Sequence, residues 1–252
     1  MSLPFFYAEN TPDEGRECML DEETSKHIVQ VLRMKIGEQL RLTDGKGNSS
    51  IAEILVAHKK QSAVKIITSS FSPANVSRLT IGISLIKNPN RFEWFLEKAA
   101  ELGVNEIIPL ICERTEKQHA RYDRFLNIAR SAMLQSAQTW LTTIQEPLKF
   151  KDVVERSNQG QKFIAHCEEG IKQPLSAVLN NSRKSCKELQ KKYLEKTGVS
   201  SQSKIILIGP EGDFSPTEIK LANQFNFEAV SLGKTRLRTE TAGIFAAVMG
   251  SS

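Results

Sequence analysis

The residues best suited to chemistry lie in two short loops near the C-terminus. The first loop reads GPEGD at 209–213, and the second reads GKTRLR at 233–238. Neither contains the GxGxxG pattern of dinucleotide sites or the lysine of a phosphate-binding P-loop. Because Glu211 and Asp213 are the only charged residues of the first loop, a phosphate-rich ligand is disfavoured there. A neutral or cationic nucleoside held by backbone groups fits better.

Each loop leaves a predicted strand and opens a predicted helix. The continuous apolar run 205–208, with three β-branched isoleucines, is typical of a strand buried on both faces, and 229–232 predicts a shorter one. After the first loop, Ser215 and Glu218 predict a helix that starts with a capping box. Thr239 is the predicted N-cap of the closing helix. Ligands bind outside the carboxyl ends of strands in open α/β sheets, so we expect a site at these loops.

The middle of the chain predicts the beginning of an α/β domain. We expect a buried strand over 79–86, a helix over 91–102 that Asn90 caps, and a strand over 104–111. This βαβ unit predicts a parallel sheet.

Further elements follow before the two loops. We expect a helix over 122–139 and a strand over 163–167, in a domain of roughly five or six strands. Glu168 and Glu169 come next, and adjacent carboxylates point to different faces of a regular element, so an edge turn is favoured over an acid/base pair. The polar run 180–192 predicts an exposed helix and its connection.

The N-terminal part predicts a separate small domain. We expect a β-rich domain at 1–70, a linker at 71–78 containing Ser and Pro, and the α/β domain at 79–252. The lysines of the N-terminal domain either solvate its surface or dock phosphates of RNA, and both interpretations stay open. The predicted elements are strands over 5–8, 38–43, 50–57 and 62–68, a short helix opened at Asp21, and a hairpin turn at 44–48.

Composition narrows the class of protein. The 252 residues are 40% hydrophobic, with a net charge of +5 that permits a polyanionic partner. The cysteines form no CxxC pair and the histidines show no zinc spacing, so we expect no metal. Scattered thiols favour a reducing cytosol, hence a cytoplasmic protein. We expect no signal peptide and no membrane span.

The two loop motifs resemble the signature of the RsmE family of SPOUT methyltransferases. The chain reads IGPEGDFSPTEI at 208–219 and LGKTRLRTETA at 232–242. The segments KAAELGV at 98–104 and HIVQVLRMKIG at 27–37 are also similar to that family, so the resemblance covers nearly the whole chain. Asp213 stands where the family commonly has glycine, and Gln138 stands where it commonly has arginine.

The resemblance implies a fold, a cofactor and a substrate. The fold is an α/β parallel-sheet methyltransferase domain with a C-terminal trefoil knot, preceded by a PUA-like β-barrel domain. The cofactor is S-adenosylmethionine, and the reaction is methylation of N3 of a uridine in small-subunit (16S) ribosomal RNA. The partners are that RNA, naked or within the assembled 30S subunit, and a second copy in a homodimer. Phe245, Met249 and Trp140 are candidates for the dimer contact.

The resemblance also assigns residues to these roles. The implied RNA-binding residues are Arg33, Lys35, Arg114 and Gln135. The implied cofactor-binding residues are Leu207, Ile208, Gly209, Glu211, Gly212, Leu232, Gly233 and Leu237.

The chemistry of the implied reaction indicates two catalytic candidates. Uridine N3 carries a proton that must leave, and Arg238 could stabilise the negative charge on the flanking carbonyl oxygens. Glu240 or a water could take the proton. The alternative for both residues is a surface pair near a helix start, where Glu240 favours the helix dipole.

Two other functions stay open. One is methylation at another RNA site, such as a ribose 2′-hydroxyl or a transfer RNA. The other is a non-catalytic RNA-binding adaptor, which would bind RNA without binding a cofactor.

Overall fold

The apolar residues 205–208 lie inside a parallel sheet, as predicted. The computed structural model describes residues 3–75, 77–116, 120–157, 160–179 and 202–251. Contacts divide the chain into two compact units. The first consists of Met1–Ala74 and Arg130–Leu141, and the second of Asn75–Ala129 and Thr142–Ser252. Nothing in the sequence signals that Arg130–Leu141 joins the first unit. The predicted domains at 1–70 and 79–252 stay a prediction.

The first unit is built on a five-stranded sheet with the strand order β1-β3-β4-β5-β2. The pair β1–β3 is parallel, and the other pairs are antiparallel. The buried side chains of one cluster, including Ile28, Leu40 and Ile54, form its core. Its elements are β1 (Phe5–Tyr7), β2 (Glu17–Met19), α1 (Glu22–Lys26), a π-helical turn (His27–Val31), β3 (Gln39–Thr43), β4 (Asn48–Val56) and β5 (Ala63–Phe71).

Local signals account for two predicted features of this unit. Asp21 caps α1, since its carboxylate accepts the backbone N–H of Thr24 at 2.7 Å. The predicted turn at 44–48 joins β3 to β4, and Asp44 Oδ1 accepts the backbone N–H of Lys46 at 2.7 Å. Strand β2 was not predicted, because three residues with one half-buried side chain carry no periodic signal.

The second unit is built on an eight-stranded sheet with the order β11-β13-β10-β12-β6-β7-β8, and β9 also pairs with β7. All of these pairs are parallel. Its elements are β6 (Ser77–Ser84), α2 (Pro89–Glu101), β7 (Glu106–Ile111), α3 (Tyr122–Gln135, which contributes to both units), β8 (Thr143–Ile144), β9 (Leu148–Lys149), α4 (Phe150–Arg156), β10 (Gln161–Ala165), β11 (Gln173–Pro174), β12 (Gln202–Ile208), α5 (Pro216–Gln224), β13 (Glu228–Ser231) and α6 (Thr239–Ser251).

The parallel sheet confirms the predicted α/β class, although the strand count of five or six was too low. The extra strands β8, β9 and β11 have two residues each, which is too short for a sequence pattern to show.

Helices cover the sheet through buried apolar side chains. Phe150 and Val153 of α4 and Ile219 of α5 pack in one cluster with Leu207 of β12. Because side chains alternate along a strand, the neighbours of Leu207 in β12 point to the other face.

The start of α2 differs from the prediction. Asn88, not Asn90, is the N-cap, and its side chain accepts the backbone N–H of Asn90 at 3.0 Å. Pro89 then occupies the first helical turn, where its missing N–H costs nothing. The helix therefore begins two residues before the predicted 91.

The end of α3 also differs, since the helix ends at Gln135 and not at Thr139. Ala137 has a φ of +55°, and the backbone N–H of Gln138 donates to the carbonyl of Met133 at 3.0 Å. A residue in the left-handed conformation, followed by a hydrogen bond back to the last helical turn, commonly ends a helix. Here Ala137 takes the place that glycine usually occupies.

One expectation, the exposed helix over 180–192, falls outside the described residues. The C-terminal trefoil knot stays a prediction.

The part of the chain that the structure describes contains neither a membrane-spanning helix nor a cluster of metal ligands. Its helices include none that is both long and apolar enough to cross a membrane. Its His, Cys, Asp and Glu side chains form no group of three or more that could hold a metal ion.

A close approach of α6 to the sheet gives a prediction for stability. A Cβ added at Gly243 would lie 2.6 Å from Phe95 Cε2 and 2.7 Å from Ile83 Cδ1. Alanine favours a helix over glycine by about 1 kcal/mol, yet we expect Gly243→Ala to lower the free energy of unfolding by about 1–3 kcal/mol through overpacking. Urea denaturation measures it. The exposed Thr241→Ala of the same helix is the control, and a stabilised Gly243→Ala protein would contradict the packing.

Candidate functional site

Three neighbouring strands of the second unit end at one edge of its sheet. Strand β10 lies between β12 and β13, and Ala165 pairs with Ile208 on one side and Val230 on the other. The loops after these strands surround a cleft of about 520 Å³, a size typical of small-ligand sites. Both loops singled out in the sequence line this cleft, although their strands are not adjacent.

The loop after β12 is shaped by a turn and by a helix cap. The backbone N–H of Asp213 donates to the carbonyl of Pro210 at 2.9 Å. Ser215 and Glu218 form the predicted capping box, with Ser215 Oγ accepting the N–H of Glu218 at 3.2 Å. A Cβ at Gly209 would lie 3.1 Å from the nitrogen of Phe214, a tight contact that favours glycine there.

Asp213 replaces the glycine of the family pattern and gains contacts that glycine lacks. Its φ is +64°, a conformation that aspartate adopts more readily than most residues. Its Oδ1 accepts the backbone N–H of Phe214 at 2.8 Å, and its Oδ2 accepts that of Cys167 at 2.6 Å. The carboxylate therefore ties the loop after β12 to the end of β10.

Two further hydrogen bonds join the loop after β12 to the segment after β13. Thr239 Oγ1 donates to the carbonyl of Gly209 at 3.0 Å, inside the protein. Arg236 Nη2 donates to the carbonyl of Glu211 at 3.1 Å. Thr239 was predicted as an N-cap. It is instead the first residue of α6, and its hydroxyl serves this link between loops.

Most of the predicted cofactor-binding residues line the cleft. Leu207 does not, because its side chain is fully buried in the core and packs over Gly82. Gly212 is also outside the lining, and its carbonyl accepts a hydrogen bond from Arg114 Nη1 at 2.8 Å. The residues that do line the cleft are Ile208, Gly209, Glu211, Leu232, Gly233 and Leu237.

The two catalytic candidates occupy different surroundings. Arg238 lines the cleft and is exposed, and the described residues give its guanidinium no hydrogen-bond or ion-pair partner. Glu240 is buried outside the lining, and its Oε1 lies 3.7 Å from Arg91 Nε.

The RNA-binding candidates are also divided. Arg33, Lys35 and Gln135 are exposed in the first unit, and Arg33 has a φ of +54°. Arg114 belongs to the second unit, where it holds the loop after β12 through Gly212. Gln138, which replaces the arginine of the family pattern, donates from Nε2 to Ser136 Oγ at 3.0 Å.

Sequence reasoning missed the contribution of the segment after β10. His166, Cys167 and Lys172 line the cleft, whereas the carboxylates of Glu168 and Glu169 do not. The one signal for these residues was their place at the end of the predicted strand 163–167 or just after it, and the observed strand already ends at Ala165. Their approach to the other loops depends on strand order, which no local pattern shows.

His166 presents an unused polar atom. Its Nδ1 lies 3.3 Å from Lys172 Nζ, and that ammonium also donates to the backbone carbonyls of His166 and Glu168. Since an ammonium only donates, Nδ1 is the acceptor and Nε2 carries the proton. Nε2 is buried without a hydrogen-bond partner among the described residues.

Charge in the cleft is mainly positive. The cationic residues of the lining are Lys172, Lys234, Arg236 and Arg238, against the acidic Glu211 and Asp213. Both acidic side chains are engaged by backbone N–H groups, since Glu211 Oε1 accepts that of Lys87 at 3.3 Å. The cleft therefore favours an anionic partner near the second loop.

Burial lowers the pKa of His166, and the charge of Lys172 acts in the same direction against Asp213 and Glu168. As pH falls below about 6.5, the unfolded chain takes up the proton first. The contribution to stability is thus complete above that pH and declines as pH falls toward the folded pKa. We expect the advantage of the wild type over His166→Gln, in free energy of unfolding, to shrink between about pH 7.5 and pH 5. Urea denaturation at both pH values tests this, and an advantage that is independent of pH would contradict it.

Known RNA methyltransferases are similar to this chain over most of its length. Residues 72–250 match the model of the RNA methyltransferase domain, and residues 20–67 match that of the RNA methyltransferase PUA domain. A protein of Rickettsia conorii named ribosomal RNA small subunit methyltransferase E is 26% identical, over 92% of this chain and 88% of its own. A Bacillus subtilis protein of the same name is 24% identical, over 93% and 89%.

Solved structures show the same fold. A probable rRNA-methyltransferase from Porphyromonas gingivalis is 33% identical with a TM-score of 0.81, covering 97% of this chain and 95% of its own. A ribosomal RNA small subunit methyltransferase E from Neisseria gonorrhoeae, bound to S-adenosyl methionine, is 26% identical with a TM-score of 0.80, covering 98% and 95%. These likenesses confirm the α/β fold and the PUA-like N-terminal part. The chain belongs to the RNA methyltransferase family that its two C-terminal motifs indicated.

Proposed function

We propose that this protein transfers the methyl group of S-adenosylmethionine to N3 of a uridine in small-subunit ribosomal RNA. The observation that carries the proposal is the cleft at the ends of β10, β12 and β13. Relatives that share the fold are named for small-subunit ribosomal RNA, and one was solved with S-adenosyl methionine bound.

The residues of the cleft fit this cofactor. Ile208, Leu232 and Leu237 offer apolar contact for an adenine, and the glycine-containing backbone leaves room beside them. His166 and Cys167 complete the wall of the cleft at the end of β10. The cofactor supplies an electrophilic methyl group on a sulfonium.

Leu207 and Gly212 keep a role in the proposal only through their backbone. Leu207 places the end of β12, since its side chain lies in the core. Gly212 is held by Arg114, so this arginine positions the loop. The other donors of this exposed guanidinium can contact RNA while that bond is kept.

Arg238 is the group that we assign to the uridine. Deprotonation at N3 spreads negative charge onto the two neighbouring carbonyl oxygens, and a fixed cation lowers the energy of that state. The Arg238 guanidinium is exposed at the cleft and keeps its donors available. A base paired in a duplex hides N3, so the target uridine must be unpaired or flipped out.

The proton acceptor is Glu240 or a water. The Glu240 carboxylate reaches a substrate only if its contact with Arg91 opens. Otherwise a water in the cleft takes the proton, and Glu240 helps to hold the start of α6. The assembled 30S subunit as substrate and the homodimer are also part of this proposal.

The decisive experiment incubates the protein with labelled S-adenosylmethionine and small ribosomal subunits that lack the modification. Nucleoside analysis then identifies the product. We expect label in 3-methyluridine. Label in a 2′-O-methylated nucleoside, or transfer to tRNA alone, would show that the enzyme methylates another RNA site. No label and no cofactor binding by calorimetry would support the non-catalytic adaptor.

The position of the cofactor gives a prediction about thiol reactivity. Cys167 is exposed in the cleft lining, whereas burial raises the pKa of Cys112 to about 12 and leaves its thiol unreactive. With S-adenosylhomocysteine at about ten times its Kd, we expect alkylation of Cys167 by iodoacetamide to slow about tenfold, because only the unbound form reacts. Peptide mass spectrometry follows each site. Cys18 of the first unit is the internal control, and an unchanged rate at Cys167 would place the cofactor elsewhere.

The role of Arg238 gives a prediction about rate. We expect Arg238→Ala to lower kcat about a hundredfold to a thousandfold, with little change in the Kd for S-adenosylhomocysteine. Methyl-transfer assays and calorimetry measure the two quantities. Lys220→Ala, an exposed cation on α5, is the control. A loss of cofactor binding equal to the loss of rate would instead make Arg238 a cofactor-binding residue.

A further inference from the structure

Two aromatic side chains lie next to each other on the surface of the first unit. Phe71 ends β5 and is 62% exposed, and Trp140 follows α3 and is 37% exposed. Their ring centroids are 6.2 Å apart, with the planes at 73°. Neither ring belongs to the buried cluster of this unit, so its core does not explain them.

The indole of Trp140 is held in place by polar contacts. Its Nε1 donates to the carbonyl of Ser72 at 2.8 Å. The backbone N–H of Ser72 donates to the carbonyl of Gly47, and the N–H of Gly47 donates to that of Thr139, each at 2.9 Å. These bonds connect the end of β5, the 44–48 turn and the segment after α3. The ring is therefore fixed before any partner arrives.

Both rings pack closely against Gly47. Gly47 has a φ of +97°, and a Cβ built there would lie 2.7 Å from Trp140 Cζ2 and 2.8 Å from Phe71 Cε2. Only a residue without a side chain allows this approach. The pair is thus a built feature of the turn and not a chance meeting of two surface side chains.

One cation adjoins the pair, and a second lies elsewhere on the same unit. Lys46 is exposed beside Trp140, with which its backbone forms a β-bridge, and the described residues give its ammonium no ion-pair partner. Arg130 is exposed on the same unit and lies 5.0 Å over the ring of Tyr7. The acidic Asp44 and Glu14 each accept backbone N–H groups. This surface therefore favours an anionic partner over a positively charged protein.

We propose that Phe71 and Trp140 form a stacking platform for an unpaired nucleobase of the substrate RNA, and that Lys46 contacts the adjoining phosphate. Bases that leave a helix stack on exposed aromatic rings, and this is a general mode of single-stranded RNA binding. The platform rests on the proposed function in that it takes RNA as the substrate.

Charge argues against a second copy of the chain as the occupant. A two-fold interface centred on the pair would bring the same surface patch together from both subunits. Lys46 would then approach its own counterpart, in a chain of net charge +5. Like charges at such an interface repel, whereas RNA phosphates neutralise them.

Fluorescence tests the platform directly, because the chain has two tryptophans, Trp94 and Trp140. In the Trp94→Phe protein, Trp140 is the sole indole. We expect an oligouridine of about ten nucleotides to quench its emission as a base stacks. Adding Phe71→Ala should weaken the affinity about tenfold to a hundredfold. Lys46→Ala should reduce the dependence of log Kd on log salt concentration by about one unit.

The matched control is Met19→Ala, since Met19 is also 62% exposed in the first unit. It should leave RNA affinity unchanged. Circular dichroism and urea denaturation check that each variant is folded, because the cofactor cleft lies in the other unit and would not report on this one. Absent quenching, or equal affinity of the Phe71→Ala and Met19→Ala proteins, overturns the platform. So does sedimentation showing that Phe71→Ala converts a dimer to a monomer at unchanged RNA affinity. Wild-type methyl transfer without quenching would reject the platform alone, and quenching without transfer would reject the proposed function alone.

Discussion

The parallel pairing of β12 with both β6 and β10 is the constraint on which the site depends. Ile208 lies opposite Ile83 on one side and Ala165 on the other, so β12 ends level with β10. A slip of one residue would turn the core side chain of Leu207 to the wrong face. Burial of these side chains thus fixes the register, and the register places the loop at 209–215 beside the segment after β10.

Uncharged and charge-assisted hydrogen bonds then hold the loops in that place. Thr239 binds the carbonyl of Gly209, Asp213 binds the N–H of Cys167, and Arg114 binds the carbonyl of Gly212. Each bond joins segments that are distant in sequence, so the cleft is formed before a ligand enters. A preformed site avoids the entropic cost of ordering loops on binding. Arg238 remains available for chemistry because it takes no part in these links.

Local signals made much of this predictable. The capping box of Ser215 and Glu218 is a motif of four residues, and the buried strand before it has a continuous apolar pattern. Asn88 and Asn90 are both possible caps, and the prediction chose the wrong one, although Pro89 was a sequence signal for Asn88 because proline suits the first helical turn. The contributions of His166 and Lys172 could not be predicted, since they depend on β10 lying between β12 and β13. The contact of Arg130–Leu141 with the 44–48 turn also carries no sequence signal, because it joins segments that are far apart in the chain.

The central claim is that the cofactor lies at the ends of β10, β12 and β13. A crystal structure of the protein with S-adenosylhomocysteine tests it most directly. We expect ligand density within the cleft, against Ile208, Leu232 and Leu237. Ordered ligand at another place, with this cleft filled only by water, would contradict it.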